Sequence, residues 1–407
     1  MSRRKWIAVG LICLLLAGCA IGVMDGSESG VGDTLDTGVT ATEIYGQSDI
    51  GEIVDTQETI DTQVEEVELE DASEVVELET EITGEYDFTL CFAGDISLSE
   101  DAVTTAQLDA SEGDISKCIS PELLQIMKDA DIMCLNNEFT YSDRGEPLSG
   151  KAYTFRAKPE RAAILHDMGV DIVQLSNNHV YDYGKLALLD TLDTLEKVGI
   201  EYFGAGHNLE EAMEAVYVTI DEKVVAFVGA SRAEKNKMTP QATDTKPGIL
   251  RCYDTELFLE AIKEADANAD FVIAVVHWGT EYSYDLEKVQ LTTGKEYLDA
   301  GADAIIGGHS HCLQGMEYYD GKPIVYSLGN YWFNSKTLDS MLIELHFYGN
   351  DVENYLEMKM IPAIQKNATT NWVEEEERTR IFDFMESISI NIEIDNEGIV
   401  REIHKAE

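Results

Sequence analysis

Seven side chains with metal-binding chemistry stand where apolar runs give way to polar residues: Asp95, Glu138, Asn178, His179, His277, His309 and His311. His309 and His311 follow the run Ala302 to Ile306 and the pair Gly307-Gly308. Residues i and i+2 of a strand face the same way, so both imidazoles aim at one point if the strand continues or only begins to curl. The glycines ahead of them, lacking Cβ, admit a close backbone approach. Imidazoles that converge in this way make a transition-metal half-site. Each feature also has an ordinary reading: exposed loop histidines for the His-x-His pair, a helix cap for Asp95, a turn for Asn178, and a core histidine for His277 beside Trp278. Five strand ends furnished in this way point instead to one shared metal site, because the functional crevice of an open α/β sheet lies at the carboxyl ends of its strands.

The elements that would position these groups are legible from periodicity. Strands are expected over Phe88 to Ala93, Ile132 to Leu135, Ile172 to Leu175 and Phe271 to Val276, each running into one of the polar groups above. Helical spacing covers Pro121 to Asp129, Pro159 to Met168, Leu186 to Val198, Leu257 to Ala265 and Val289 to Ala300. Val216 to Ile220 and Val224 to Val228 read as a hairpin around Asp221-Glu222. This alternation predicts an α/β fold. The chain then changes texture: Met341 to Phe347, Leu356 to Ile361 and Ile388 to Ile394 read as antiparallel strands around a helix near Val373 to Met385. Ile388, Ile390, Ile392 and Ile394 alternate with polar residues, the period of a half-buried strand.

The 407 residues suffice for one large domain with additions. With 78 acidic against 29 basic residues the net charge is −49, which repels nucleic acid and anionic surfaces over most of the molecule. The first 19 residues read as an export signal: Arg3, Arg4 and Lys5 precede an apolar run that ends in Leu16-Ala17-Gly18-Cys19. That ending resembles a bacterial lipobox, with Cys19 as the lipidated residue and the outer face of the cytoplasmic membrane as the destination. The alternative is an uncleaved N-terminal transmembrane anchor, since Trp6 to Val23 is just long enough to span. Residues 20–87 read as an acidic, disordered tether; from Asp25 to Asp87 there are 21 acidic residues and no Lys or Arg. Cys91, Cys118, Cys134, Cys252 and Cys312 follow no disulfide spacing, and buried thiols are expected for Cys91 and Cys134.

The motifs Phe92-Ala93-Gly94-Asp95, Asn136-Asn137-Glu138, Ser176-Asn177-Asn178-His179 with Asp182-Tyr183-Gly184, Gly204-Ala205-Gly206, His277-Trp278-Gly279, Gly308-His309-Ser310-His311 and Ser327-Leu328-Gly329-Asn330 occur in this order. Over residues 88–335 the chain thereby resembles the CapA or PGA-cap family of capsule-synthesis proteins, within the calcineurin-like metallophosphoesterase superfamily. The resemblance implies a four-layer α-β-β-α sandwich of metallo-dependent phosphatase type, with residues 336–407 adding antiparallel strands and a helix to the same domain. It implies one or two divalent ions (Mn, Fe or Zn). Asn178, His277 and His309 would hold one ion, Asp95 and His311 the other, and Glu138 would bridge them. His179 would stand beside the substrate as a proton donor or oxyanion stabiliser. Two departures are visible: Ser97 stands where the superfamily usually has a histidine, and Glu138 replaces the usual bridging aspartate.

Two stretches rich in cations, Arg144 to Arg161 and Arg232 to Arg251, read either as an anion-facing mouth or as solvated loops. Arg156, Lys158, Arg232 and Asn330 are the candidate contacts to an anionic substrate. Trp278, Tyr282, Tyr284, Tyr331 and Trp332 either line the site or pack in the core. Three functions are compatible with these features. The first is a membrane-tethered, extracytoplasmic role in making or exporting poly-γ-glutamate capsule or a similar anionic polymer, alongside membrane subunits of a polymer synthase. The second is a secreted metal-dependent phosphoesterase acting on wall or nucleotide phosphoesters. The third is a polymer-binding scaffold without catalysis.

Overall fold

The computed structural model describes residues 84–350 and 352–404; the export signal with Cys19, and the acidic tether as far as residue 83, lie outside the described residues. The first strand, Tyr86–Ile96, starts just ahead of the expected Phe88. Its period-2 pattern feeds two cores. Phe88, Leu90 and Phe92 enter one apolar cluster, and Cys91 and Ala93 enter another on the opposite face. In the second sheet Phe271–His277 divides likewise, with Ile273 and Val275 in the first cluster and Val272, Ala274 and Val276 in a third. The cluster shared by the two strands lies between two face-to-face sheets, and the other two clusters lie beneath helices.

One sheet has the order Ile392–Ile394, Ile399–Glu402, Asn354–Lys366, Leu338–Gly349, Tyr86–Ile96, Ile132–Asn137, Ile172–Gln174, Glu201–Phe203. From Tyr86–Ile96 to Glu201–Phe203 the pairing is parallel, and Leu338–Gly349 joins Tyr86–Ile96 antiparallel. The other sheet has the order Leu313–Tyr319, Lys322–Leu328, Ala304–Gly308, Phe271–His277, Lys223–Ser231, Val216–Ile220, with parallel central strands and an antiparallel hairpin at each edge. Leu123, Met127, Leu165, Leu188 and Leu192 cover the outer face of the first sheet, and Phe258, Ile262, Tyr297 and Leu298 that of the second. The architecture is therefore the expected α-β-β-α sandwich. Among the described residues no helix is long and apolar enough to cross a membrane.

At the C-terminus the structure differs from the expected strand Ile388 to Ile394. Ile388 ends the helix Glu375–Ile388, and the strand that follows covers only Ile392–Ile394. Ile381, Phe382 and Met385 of this helix close the inter-sheet core, so the alternating isoleucines straddle a helix end. Cys91, Cys118, Cys134, Cys252 and Cys312 are all buried free thiols.

Candidate metal centre

The parallel strands of both sheets end at the same edge. Asp95 is in register with Asn136 on one side and Asn330 on the other, and His277 is in register with Gly308. Close approach here depends on glycine: a Cβ on Gly307 would lie 1.9 Å from the carbonyl oxygen of Tyr326. The loop after Ile172–Gln174 is held by Asn177. Its Oδ1 accepts from the N–H groups of His179 and Val180 (both 3.0 Å), and its Nδ2 donates to Asn136 Oδ1 and the Asn137 carbonyl (both 2.9 Å). Asn136 Nδ2 in turn donates to Asp95 Oδ1 (2.7 Å) and Glu138 Oε2 (3.1 Å), so one amide gathers both carboxylates.

His309 and His311 do converge, but not on a strand. Ala304–Gly308 ends before them, and both residues adopt positive φ, 93° and 54°. Such angles are costly for non-glycine residues and persist only where surroundings over-determine them. Here Ser310 Oγ donates to the Cys312 carbonyl (2.7 Å) and accepts from the Ser327 hydroxyl (2.8 Å), while the Ser310 carbonyl accepts from the N–H of Tyr282 (2.6 Å).

Glu138 is the hub. Its Oε1 is buried and accepts no hydrogen bond, yet Nε2 of His179, His277 and His311 stand 3.8, 3.8 and 3.9 Å away. Asp95 Oδ2 is also buried, and His311 Nδ1 stands 3.2 Å from it. Metal–ligand distances of about 2.0–2.2 Å place donor atoms up to roughly 4.3 Å apart across one ion. Glu138, His277 and His309 form one set of donors, and Asp95, Glu138 and His311 another, each within 4.8 Å. Asn178 Oδ1 lies 2.8 Å from His277 Nε2, which lies 3.1 Å from His309 Nδ1, so Asn178 belongs with the first set. Glu138 is common to both. His311 Nδ1 is oriented by Asn330 Oδ1 (2.8 Å), leaving Nε2 to face Glu138. Buried donors of mixed O/N type, with the acceptor Glu138 Oε1 left without a hydrogen bond at their centre, fit a divalent cation.

The electrostatics favour the same ion. Burial, with the neighbouring histidines, holds His277 well below the usual imidazole range, and burial brings His309 to about 3. Both are thus neutral ligands. Burial, reinforced by the charge of Asp95, raises Glu138 well above the carboxylate range. At His311 burial pulls downward, but its bonds to Asp95 and Asn330 win and raise it. A metal entering this site must displace protons from Glu138 and His311, whereas His277 and His309 carry none to displace. Affinity should therefore rise with pH by about one to two powers of ten per unit below about pH 6.5, the ordinary imidazole value that His311 exceeds, with matching proton release. Titration calorimetry in buffers of different ionisation enthalpy measures both, and a pH-independent affinity would contradict this charge arrangement.

His179 is buried with its Nδ1 on Asp182 Oδ2 (2.7 Å). Burial lowers its affinity for a proton, opposed by Asp182. The carboxylate fixes the proton on Nδ1, so Nε2 faces Glu138 with its lone pair and donates only once an imidazolium forms. Lys151, buried, bonds both Asp182 and the carbonyl of Asn178, and Glu234 Oε2 lies 3.6 Å from it. An aromatic collar surrounds the histidines: Phe155 packs on His179 (4.3 Å between centroids), Phe333 on His311 (4.7 Å), and Tyr282 on His311 (5.7 Å).

The structure thus brings together Asp95, Glu138, Asn178, His179, His277, His309, His311 and Asn330. The three cations named with them bond elsewhere. Arg156 lies over the Tyr183 ring and donates to the Gly145 carbonyl, Lys158 pairs with Glu100, and Arg232 lies over the Tyr253 ring. Of the aromatic candidates, Trp278, Tyr331 and Trp332 are core residues and Tyr284 packs on Phe384; only Tyr282 meets the cluster. Phe155 and Phe333 are collar residues that no periodicity marks. Lys151 was visible only as one of five cations in its loop.

The family described as bacterial capsule synthesis protein PGA_cap matches residues 89–335. The chain is 33% identical over 218 residues to the PGA biosynthesis protein CapA of Bacillus subtilis, covering 53% of this chain and 56% of that protein. It is 34% identical over 200 residues to the capsule biosynthesis protein CapA of Bacillus anthracis, covering 48% of each. The chain thus spans about half the length of the curated relatives it matches. Among solved structures, a 5′-nucleotidase from Candida albicans aligns over 67% of this chain and 51% of its own, with 11% identity and a TM-score of 0.35. The match over residues 89–335 takes in every strand end that carries the site, and the chain belongs to the PGA_cap family of bacterial capsule synthesis proteins.

Proposed function

We propose that this protein acts outside the cytoplasmic membrane, tethered through Cys19, in making or exporting poly-γ-glutamate or a similar anionic envelope polymer, and that it does so through a divalent metal centre. The observation that carries the reading is the buried pair of Glu138 and Asp95, with Glu138 Oε1 free of hydrogen bonds and facing the imidazoles of His179, His277 and His311. A divalent ion bound there would polarise a phosphoryl or carbonyl oxygen and lower the pKa of bound water. The chain's own groups supply the rest. Asn136 holds the two carboxylates together, Asn330 orients His311, and Asp182 presents His179 to the substrate side of Glu138 as a proton carrier. The collar of Phe155, Phe333 and Tyr282 limits water around those imidazoles.

Removing the protein from its host should deplete surface polymer. Wild type should restore it, and His179→Ala and His309→Ala should not. An unchanged envelope after removal counts against the reading. The His179–Asp182 pair supports a second reading, a metal-dependent phosphoesterase of the envelope. In that case purified protein turns over a chromogenic phosphodiester with Mn, Fe or Zn, and His309→Ala loses about 10²-fold or more of the rate. Absence of turnover with every divalent ion would dispose of this second reading.

A further inference from the structure

The rim beside His311 has features that metal ligation does not use. Tyr282 adopts left-handed backbone (φ 58°), and its N–H is tied to the carbonyl of Ser310, between the two histidines. Its ring meets His311, yet the residue is 45% exposed, so one side touches the centre and another faces solvent. Lys336 Nζ lies 3.7 Å from the centroid of that ring. The Lys336 backbone is held from both sides: its N–H donates to Asn334 Oδ1 (2.9 Å) and its carbonyl accepts from Gln365 Nε2 (3.2 Å). In a chain of net charge −49, Arg144, Lys151, Arg161 and Arg380 all meet carboxylates. Among the described residues, no carboxylate stands within ion-pair distance of Lys336, whose ammonium has only the ring. The third feature is Asn330. It is 1% exposed and its Oδ1 holds His311, but its Nδ2 has no partner. Leaving a buried amide donor unpaired costs free energy that a ligand acceptor would recover.

We propose that Tyr282, Lys336 and Asn330 form a subsite for a side-group carboxylate of an acidic polymer, placed beside the metal centre. The subsite rests on the polymer reading above and gives it a point of contact. A carboxylate suits it better than a phosphate. Phosphate dianions are generally met by several cations or by an arginine fork, and here there is one ammonium and one amide N–H. The arginines of the neighbouring loops are bonded to other groups. A glutamyl unit carries a single charge on a short aliphatic stem, and the rings of Tyr282 and Phe333 offer that stem an apolar wall. Glu281 adjoins Tyr282 and its charge acts on His311 and Glu138, so it opposes an incoming anion. Its removal should therefore strengthen binding, which a purely structural role for the rim would not predict.

The test uses the full-length protein loaded with Mn²⁺ and a γ-linked glutamate pentamer as probe, with affinity read by calorimetry at two salt concentrations and metal content read in parallel. Lys336→Gln should weaken binding about tenfold, the scale of one charge-assisted hydrogen bond, and lower the salt dependence. Lys336→Arg should keep affinity within about threefold and Glu281→Gln should tighten it about threefold, with metal content equal throughout. Methyl-esterified pentamer should bind wild type as weakly as the acid pentamer binds Lys336→Gln. If Lys336→Gln binds the acid pentamer like wild type, the subsite is wrong and the polymer reading stands. If wild type itself does not bind the pentamer, both fall.

Discussion

Glu138→Gln should bind no divalent metal and yet fold at least as stably as metal-free wild type. The expectation follows from what the carboxylate contacts. Its Oε1 accepts no hydrogen bond and has three imidazole nitrogens 3.8 to 3.9 Å away; its Oε2 accepts from Asn136. Without metal the residue is a buried acid beside Asp95, an arrangement that disfavours its charged form. Glutamine keeps the acceptor for Asn136, places an N–H₂ toward the imidazoles and removes the repulsion. What it cannot do is supply an anionic ligand to both donor sets at once. Metal present at about 100 times its Kd adds about 2.7 kcal/mol to wild-type stability. In a domain of well over 250 residues that corresponds to a rise in Tm of roughly 4 °C. Differential scanning calorimetry with and without Mn²⁺ should show the rise for wild type and none for the variant, and elemental analysis should find the variant empty. Wild-type metal stoichiometry in Glu138→Gln would remove Glu138 from the hub. A drop of several degrees in the metal-free variant would make it a structural residue.

The centre was legible in the sequence because each of its residues sits where an apolar run stops. Phe271–His277 is buried along its whole length, so a histidine at its end is exceptional, and the same holds for Asp95 after Phe92-Ala93-Gly94. Residues delivered by loops left no such trace. Lys151 and Phe155, which reach Asp182 and His179, sit between Thr140–Tyr141 and Arg156–Ala157 in a stretch with no regular structure, and nothing in its composition separates them from Arg156 or Lys158. The backbone at His309 and His311 was likewise beyond pattern reading. An i, i+2 pair looks the same whether a strand carries both residues to one face or a tight turn at positive φ does so.

The fold divides along a similar line. The hairpin Leu313–Tyr319 with Lys322–Leu328 leaves no apolar alternation in the sequence because its buried positions are partly polar. Gln314 is paired with Gln290, Glu317 with Tyr326, and Ser327 with Ser310, so burial there is secured by hydrogen bonds rather than by apolar alternation. The alternating isoleucines near the C-terminus misled in the opposite sense. Ile388 is in the last turn of a helix, and the pairing of Ile390 is an isolated bridge to Glu317. Periodicity reports which side chains are buried, and it fails where burial is polar or where one element hands over to the next.

Gly94→Ala should have the other large effect, this time on folding and metal uptake together. A Cβ at Gly94 would lie 2.0 Å from the carbonyl oxygen of Gly329 and 3.1 Å from that of Leu328, both backbone atoms that cannot rotate aside. The same Gly329 carbonyl accepts from the N–H of Asp95 at 2.8 Å, and the next residue, Asn330, orients His311. The chain crosses here from Lys322–Leu328 in one sheet to Asn330–Trp332 beside Tyr86–Ile96 in the other. Relief of the clash must separate Asp95 from Asn330, which spreads one donor set and strains the inter-sheet core. The loss should be at least about 3 kcal/mol, with low soluble yield and weakened Mn²⁺ binding. Gly294→Ala is the control. It lies in the helix Lys288–Asp299, where a Cβ would meet only side-chain atoms, at 3.4 Å from Ile324 and 3.5 Å from Trp278. Helix propensity should then make it neutral or more stable by up to about 1 kcal/mol. Denaturant unfolding of the two variants compares close backbone approach with helix preference in one protein. A Gly94→Ala protein with wild-type midpoint and metal content would show that the sheets can part at this point without disturbing the centre.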